Sequence, residues 1–247
     1  MVVTSTTKLI SDNDHLITIT TSGYSDMTHN LLKSMQKIAL DKLLWIYCFD
    51  QESYDYFIDI GHEQTKLYRA KGYKQDNQWL EYSTNSFGSL MFSRFELIKD
   101  LLVQGKNVLH IDGDVIFLKS PFEIMSKLIK DHDDVDMLIQ NNSLLDEDLR
   151  EMCMGFYYLR SSEKIIDLFS NINVVPSEWD NCDQRFFNAM IRDQLNYLAL
   201  PLSSFPNGKY IYESSSTLNE NTLVAHFNWI IGQKKIQRMK EYGVWFM

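Results

Sequence analysis

Two aspartates separated by a single glycine, Asp112 and Asp114, follow the apolar run VLHI and precede the apolar run VIFL. Carboxylates at this spacing repel each other, which raises the pKa of at least one unless a cation lies between them. Carboxylate oxygens are ligands that Mg²⁺ and Mn²⁺ prefer in proteins. The alternative interpretation is a turn, because Asp and Gly are common between strands.

The same Asp-x-Asp spacing occurs at 12/14, 131/133, 134/136 and 146/148. Those four pairs lie in polar, highly charged stretches, which are typical of solvated surface. Only the pair at 112/114 lies between apolar segments, where burying unpaired charge is costly. The context therefore favours metal binding at 112/114, with a structural turn as the alternative.

The segments around this pair predict alternating strands and helices. In the first half we expect strands at 16–21, 43–49 and 107–111, and helices after the first strand, near 52–58 and at 86–104. In the second half we expect strands at 134–140, 156–161, 197–200 and 224–229, and helices at 163–171, from 183 onward and at 232–243. Alternation of this kind predicts a mostly parallel, doubly wound α/β sheet, which binds ligands beyond the carboxyl ends of its strands.

The composition sets limits on the class of protein. A chain of 247 residues with 45% hydrophobic residues suffices for one α/β domain, and no linker or repeat divides it. The net charge of −9 argues against nucleic acid and anionic membranes as partners. Three cysteines without Cys-x-x-Cys spacing argue against a disulfide framework or structural zinc. Without a signal-like N-terminus or a run of about 20 apolar residues, we expect a soluble, cytoplasmic protein.

Six segments, in chain order, resemble the GT-A-fold nucleotide-diphospho-sugar transferases, which are distantly similar to glycogenin-type and bacterial galactosyltransferase-type enzymes. These segments are SLMFSRFELIKDLLVQG, VLHIDGDVIFLKSPF, MGFYYLRSS, CDQRFFNAM, AHFNWIIGQKK and GVW. The resemblance implies a single GT-A (Rossmann-like) domain with a mostly parallel central sheet flanked by helices. It also implies a nucleotide-binding half at about 1–115 and a sugar and acceptor half at about 116–247.

The resemblance implies a metal site for Mn²⁺ or Mg²⁺. Asp114 would be the direct ligand, Asp112 would contact the metal, the ribose or both, and His226 would be the third ligand. A cation is physically reasonable because a diphosphate is multiply anionic and cannot approach an acidic pocket without one. Judged from the residue alone, a histidine on a short strand is more often a core or surface residue than a ligand.

The resemblance also implies a set of donor-binding residues. They are Thr20, Thr21, Ser22 and Tyr24 at the base and ribose, Arg94 over the nucleotide or sugar edge, Met154 and Gly155 in the sugar pocket, and Gly232 with Lys234 or Lys235 at the diphosphate. Each has a structural alternative: a surface salt bridge for Arg94, a bend for Gly155 and a solvated helix face for the lysines.

Asp183 and Gln184 would face the reacting side of the sugar, although an acidic residue at a helix start is also common for dipole reasons. The implied function is metal-dependent transfer of a sugar from a nucleotide-diphosphate sugar, expected to be a UDP-sugar, to a carbohydrate or glycoprotein hydroxyl with retention of configuration. Two alternatives remain open: a haloacid-dehalogenase-type phosphohydrolase, and a non-catalytic sugar-nucleotide-binding protein.

Overall fold

A computed structural model of the chain describes residues 11–70, 80, 84–213 and 218–247. The strands are β1 Asp14–Thr20, β2 Leu44–Cys48, β3 Thr65–Leu67, β4 Asn107–Ile111, β5 Val115–Phe117, β6 Met137–Asn141, β7 Met152–Leu159, β8 Tyr197–Leu200 and β9 Val224–His226. The α-helices are α1 Ser25–Gln36, α2 Gln51–Asp59, α3 Asn85–Val103, α4 Phe122–Asp131, α5 Glu163–Ser170, α6 Asp183–Phe186, α7 Gly208–Glu213 and α8 Gln233–Glu241.

Seven strands form the central sheet in the order β3-β2-β1-β4-β7-β6-β8. Strands β3, β2, β1 and β4 run parallel, and β6 runs parallel to β8. Strand β7 pairs antiparallel with both β4 and β6. The prediction of a mostly parallel sheet flanked by helices is therefore confirmed.

Both faces of the sheet are covered, which explains why its inner strands are almost continuously apolar. Ile17 on β1 joins an apolar cluster with Ile98 on α3. Its neighbour Leu16 joins a second cluster with Leu31 on α1, on the opposite face. The alternation of side chains along a strand thus sends successive residues of β1 into two separate cores.

A second, two-stranded sheet connects the middle of the chain to its end. Strands β5 and β9 pair antiparallel, with Val115 opposite His226. The backbone N–H of Phe227 donates to the Asp114 carbonyl at 3.0 Å. This pairing brings His226 directly beside the aspartates that follow β4.

The C-terminal segment is fastened to α1 by one buried amide. Asn30 Nδ2 donates to the Val244 carbonyl at 3.1 Å, and Asn30 Oδ1 accepts from the Phe246 N–H at 2.6 Å. Met239 on α8 is buried in a small apolar cluster that includes Phe227. Helix α8 is therefore held against the body of the protein.

The second half departs from the predicted elements. The helix expected from 183 onward is α-helical only to Phe186 and then continues as a π-helix at Phe187–Ile191. The side chain of Asn188 accepts from Met152 N and donates to Met152 O, at 2.8 and 2.9 Å. These bonds attach the π-helical turn to β7, which begins earlier than the expected 156–161. No described helix combines the length and apolar character needed to cross a membrane.

We predict that Asn30→Ala lowers the free energy of unfolding by about 1–3 kcal/mol, because it leaves two backbone groups of the C-terminal segment without their partner. The matched control is Asn171→Ala, which removes an exposed amide that donates to the Asp167 carbonyl at 2.8 Å. The control should change stability by less than about 0.5 kcal/mol. Urea denaturation measures both variants, and equal losses would contradict the proposed fastening.

Candidate active site

A cavity of about 400 Å³ lies at the carboxyl end of β4. Its walls include Asp112, Asp114, Asp183 and His226, which come from separate parts of the chain. Ligands of α/β sheets bind at this end of the strands, so the position agrees with the sequence prediction.

The glycine between the two aspartates is required by close packing. A Cβ atom on Gly113 would lie 2.7 Å from Thr28 Oγ1 and 3.5 Å from Thr28 Cα on α1. The backbone N–H of Asp112 donates to the Gly155 carbonyl at 2.7 Å, and that of Val115 to the Asp112 carbonyl at 3.1 Å. These contacts fix a turn that directs both carboxylates into the cavity region, so the turn and the carboxylate site are the same structure.

Three potential metal ligands meet beside this turn. One ligand atom from each of Asp112, Asp114 and His226 lies within 4.8 Å of the others. His226 Nε2 lies 3.1 Å from Asp114 Oδ1. Two carboxylates and an imidazole form a donor set suited to Mn²⁺ or Mg²⁺, with the imidazole favouring Mn²⁺.

The orientation of the His226 ring is set by Gln140. Gln140 Nε2 donates to the carbonyls of Phe205 and Pro206 at 3.0 and 3.1 Å. Its Oε1 therefore faces His226 Nδ1, at 2.8 Å, and accepts the Nδ1 proton. The other ring nitrogen, Nε2, is thereby directed at Asp114. An orienting hydrogen bond of this kind is typical of histidines that bind metals.

Gly155 leaves the space that these groups use. A Cβ atom there would lie 2.2 Å from His226 Cε1 and 2.8 Å from Asp112 Oδ2. No larger side chain fits unless His226 moves. Gly155 thus contributes to the site by having no side chain, which leaves room on β7 for His226 and Asp112.

Cationic groups offset the negative charge around Asp114. The Lys235 ammonium contacts Asp114 Oδ2. Burial opposes ionisation, but Lys235 and His226 outweigh it and hold the pKa of Asp114 well below its usual range. Burial likewise opposes protonation of His226, yet Asp114 raises the pKa of His226 to about 10. Because a ligating histidine must be neutral, a divalent cation would compete with that proton.

Arg94 is buried and forms ion pairs inside the protein, so the alternative interpretation of a surface salt bridge is wrong. Arg94 is 3% exposed, and its Nη1 donates to the Met154 carbonyl at 2.7 Å. Nη1 lies 3.7 Å from Asp112 Oδ1, and Nε lies 2.8 Å from Asp183 Oδ2. One guanidinium therefore neutralises carboxylates from two different elements and holds them across the cavity.

Asp183 remains incompletely satisfied despite this ion pair. The Arg94 Nε–H donates to the Met91 carbonyl at 3.3 Å, and Asp183 Oδ2 has no hydrogen-bond partner among the described residues. Burial consequently outweighs Arg94 and raises the pKa of Asp183, even though Asp183 raises the pKa of Arg94. A buried carboxylate oxygen that lacks a donor and lines a cavity is suited to receive a ligand hydroxyl.

Gln184 is held between β7 and a further carboxylate. Its Oε1 accepts from the Met154 N–H at 3.1 Å, and its Nε2 donates to Glu151 Oε1 at 2.8 Å. Both Gln184 and Glu151 line the cavity. The Gln184 side chain is thus held in place, with one lone pair of Oε1 accepting the bond from Met154.

Several predicted donor-binding residues lie elsewhere. Thr20 and Thr21 are buried, Ser22 N donates to Asp50 Oδ2 at 2.8 Å, and Tyr24 Oη donates to the Leu80 carbonyl at 2.8 Å. None of these four is among the described residues that line the cavity. Their assignment to the base and ribose stays a prediction.

The two candidate lysines are distinguished by their positions. Lys235 lines the cavity, whereas Lys234 is exposed and outside its described lining. Gly232 also lies outside that lining; it precedes α8 with φ +64° and ψ −147°, a conformation almost restricted to glycine. Gly232 thus sets the start of the helix that presents Lys235.

Sequence reasoning missed four residues of the site, namely His110, Gln140, Glu151 and Trp229. His110 Nε2 lies 2.9 Å from Asp112 Oδ1, and its ring stacks on Tyr157. The one available signal was a histidine inside an otherwise apolar strand. Gln140 at the end of a predicted strand is a similar polar interruption, whereas nothing local marks Glu151 or Trp229.

We predict that Arg94→Met lowers the free energy of unfolding by about 3–5 kcal/mol, because it leaves the buried Asp183 and the partly exposed Asp112 without their shared counterion. Adding Asp183→Asn should recover part of this loss in a double-mutant cycle. The control Arg238→Ala breaks an exposed pair with Glu241 and should cost less than about 1 kcal/mol. If the changes in unfolding free energy caused by Arg94→Met and Asp183→Asn simply added in the double variant, the proposed coupling between Arg94 and Asp183 would be contradicted.

Comparison with known proteins identifies relatives of this chain. Residues 39–239 match the family model described as nucleotide-diphospho-sugar transferase. A UDP-galactose:fucoside alpha-3-galactosyltransferase of Dictyostelium discoideum is 28% identical, over 96% of this chain and 44% of the relative. A UDP-D-xylose:L-fucose alpha-1,3-D-xylosyltransferase of Arabidopsis thaliana is 24% identical, over 68% of this chain and 50% of the relative. The chain thus spans about half the length of these curated relatives.

A solved structure of the galactosyltransferase LgtC, in complex with donor and acceptor sugar analogues, has a similar fold. The TM-score is 0.52 at 11% identity, and the match covers 92% of this chain and 94% of that one. This similarity supports the GT-A architecture. The family match also excludes the haloacid-dehalogenase alternative, whose aspartates belong on the first strand. The chain belongs to the nucleotide-diphospho-sugar transferase family.

Proposed function

We propose that this chain is a metal-dependent glycosyltransferase that moves galactose or xylose from a UDP-sugar to a hydroxyl of a fucoside, with retention of anomeric configuration. The observation that carries the proposal is the Asp112–Asp114–His226 group in the wall of a cavity that also contains Asp183, a buried carboxylate that pairs with Arg94 but whose Oδ2 atom accepts no hydrogen bond from the described residues. The names of the relatives supply the choice of sugars.

The metal-ligand group suits the diphosphate end of a donor. A bound Mn²⁺ or Mg²⁺ would neutralise the diphosphate and stabilise it as a leaving group. Lys235 is a protein cation placed to reach the same phosphates, since its ammonium already lies at Asp114 and its side chain is partly exposed. Thr20, Thr21, Ser22 and Tyr24 are proposed to form the base and ribose side after rearrangement on binding.

Asp183 and Gln184 suit the sugar end of the donor. Asp183 Oδ2, which has no hydrogen-bond donor in the described part of the chain, would accept a bond from a sugar hydroxyl. Gln184 offers the remaining lone pair of its amide oxygen to positive charge that develops on the sugar ring. Because an amide is a poor nucleophile, we favour transfer on one face, in which the leaving phosphate takes the acceptor proton.

Retention has independent support from the relatives, whose names specify alpha linkages. UDP-galactose is itself an α-linked donor, so an α product preserves the configuration. A non-catalytic protein that only binds sugar nucleotides is the remaining alternative. It predicts donor binding without release of nucleotide diphosphate, which a panel of sugar nucleotides would reveal.

We predict that Asp114→Ala lowers the rate of UDP release from the UDP-sugar by at least about 100-fold, because a lost ligand removes several kcal/mol of leaving-group stabilisation. The control is Asp131→Ala, which changes an exposed aspartate of another Asp-x-Asp pair and should leave the rate unchanged. Thermal unfolding checks that both variants are folded. Full wild-type activity in excess chelator would refute the metal dependence.

We predict that Gln184→Ala slows turnover by about 10- to 100-fold and that Asp183→Asn slows it further, since each removes polar contacts to the transition state. NMR of the first-formed product determines its anomeric configuration. A product with the configuration of the donor supports the proposed retention. The opposite configuration would show that a carboxylate such as Asp183 or Glu151 acts as a base.

A further inference from the structure

A second cavity, of about 670 Å³, adjoins the donor cavity. The two share part of their walls, formed by Asn142, Glu151, Cys182, Gln184 and Trp229. A ligand in the second cavity would therefore lie next to Gln184, where the transferred sugar is proposed to react. Nothing in the donor chemistry accounts for a cavity at this place.

The lining of the second cavity suits a neutral, hydroxyl-rich ligand. It contains charged side chains of both signs, and Arg150 is paired with Asp148 through two contacts of 2.8 Å. Amide side chains of Asn142, Gln184 and Asn188 add to the polar lining, and those of Gln184 and Asn188 are held in place by hydrogen bonds to β7. Paired charges and amides offer hydrogen bonds without a strong net field, which is the chemistry that recognises sugar hydroxyls.

Trp229 supplies the apolar surface between the two cavities. Trp229 is 51% exposed and lines both cavities. Its indole Nε1 donates to Asn142 Oδ1 at 2.9 Å, and Lys209 Nζ lies 5.0 Å from the ring centroid. The ring is thus held in place, although much of it faces solvent. Tryptophan combines a flat apolar body with one polar group, which suits partly wet binding surfaces.

The backbone around Trp229 is strained and tightly constrained. Trp229 has φ +66°, a conformation that costs a non-glycine residue about 1–2 kcal/mol. The preceding Asn228 donates to the same Asn142 Oδ1 at 3.1 Å and accepts from Gly208 N at 2.6 Å. A Cβ atom on Gly208 would lie 2.0 Å from the Asn228 carbonyl oxygen. Strain that is maintained by several neighbours is a mark of functional sites.

We propose that the second cavity is the acceptor subsite and that the terminal sugar of the acceptor stacks its apolar face on Trp229. The proposal rests on the glycosyltransferase function proposed above and names the place of its second substrate. A 6-deoxyhexoside fits this surface well, because its methyl group extends the apolar face of the ring. The stacked sugar would direct one hydroxyl past the shared wall toward Gln184.

The test measures steady-state kinetics with UDP-galactose as donor and methyl L-fucoside as acceptor. Trp229→Ala should raise the KM for the fucoside by about 10- to 100-fold, and by much more than the KM for the donor. Trp229→Phe keeps a stacking surface and should stay within about fivefold of wild type. The matched control is Trp45→Ala, which removes a tryptophan that also lies under a lysine, Lys66 at 4.4 Å, on β2 away from both cavities.

The outcomes separate the two proposals. An unchanged fucoside KM in Trp229→Ala, or equal increases in both KM values, would overturn the acceptor subsite while leaving the transferase function intact. No UDP release by the wild-type chain from any sugar nucleotide would instead refute the proposed function. Saturation-transfer NMR of methyl L-fucoside with the UDP-bound protein gives a readout independent of turnover: the signal should be lost in Trp229→Ala and kept in Trp229→Phe.

Discussion

Three carboxylates around one cavity, of which Asp114 and Asp183 are buried and Asp112 is partly exposed, are the constraint on which the rest of this structure depends. Their negative charges would repel one another, most strongly where burial at Asp114 and Asp183 reduces screening by water. The protein offsets this repulsion with three cationic groups from three distant segments: Arg94 on α3, His226 on β9 and Lys235 on α8. The compensation differs among the carboxyls, since the pKa values of Asp112 and Asp114 are lowered and that of Asp183 is raised.

This compensation explains why the last part of the chain is built into the site. Strand β9 pairs with β5 so that His226 meets Asp114, and α8 then brings Lys235 to the same carboxylate. Asn30 holds the residues after α8 against α1. The segment from β9 onward also carries Trp229, so one candidate metal ligand, the lysine that pairs with Asp114 and the proposed acceptor surface belong to one continuous stretch of chain.

The parallel half of the fold could be predicted well from the sequence because its elements are defined by local patterns. Strand β4 and helix α3 have strong apolar periodicity, and both lie within a residue or two of their predicted bounds. The β5–β9 sheet could not be predicted, because each of its strands has three residues and its stability comes from a partner more than a hundred residues away. The π-helical continuation of α6 was likewise not predicted, and its residue Asn188 contacts β7 through a tertiary hydrogen bond that leaves no local pattern.

The candidate site shows the same division. The Asp-Gly-Asp turn was visible in the sequence because a polar pair interrupts apolar strands, and resemblance to a family added His226 and Asp183. The buried position of Arg94 was not visible, since a single basic residue on an amphipathic helix usually faces solvent. Gln140 and Trp229 act through their contacts with His226 and Asn142, and such tertiary contacts leave no local pattern.

The central claim is that Asp112, Asp114 and His226 bind a divalent cation together with a nucleotide diphosphate. Electron paramagnetic resonance of Mn²⁺ tests it directly, because the sharp signal of the hydrated ion is lost when protein ligands replace water. Titration of the protein into Mn²⁺ should deplete this signal with a stoichiometry of one, and the affinity should rise when UDP is added. Equal signal loss for wild type and for a variant in which all three ligands are replaced would contradict the claim, whether or not UDP is present.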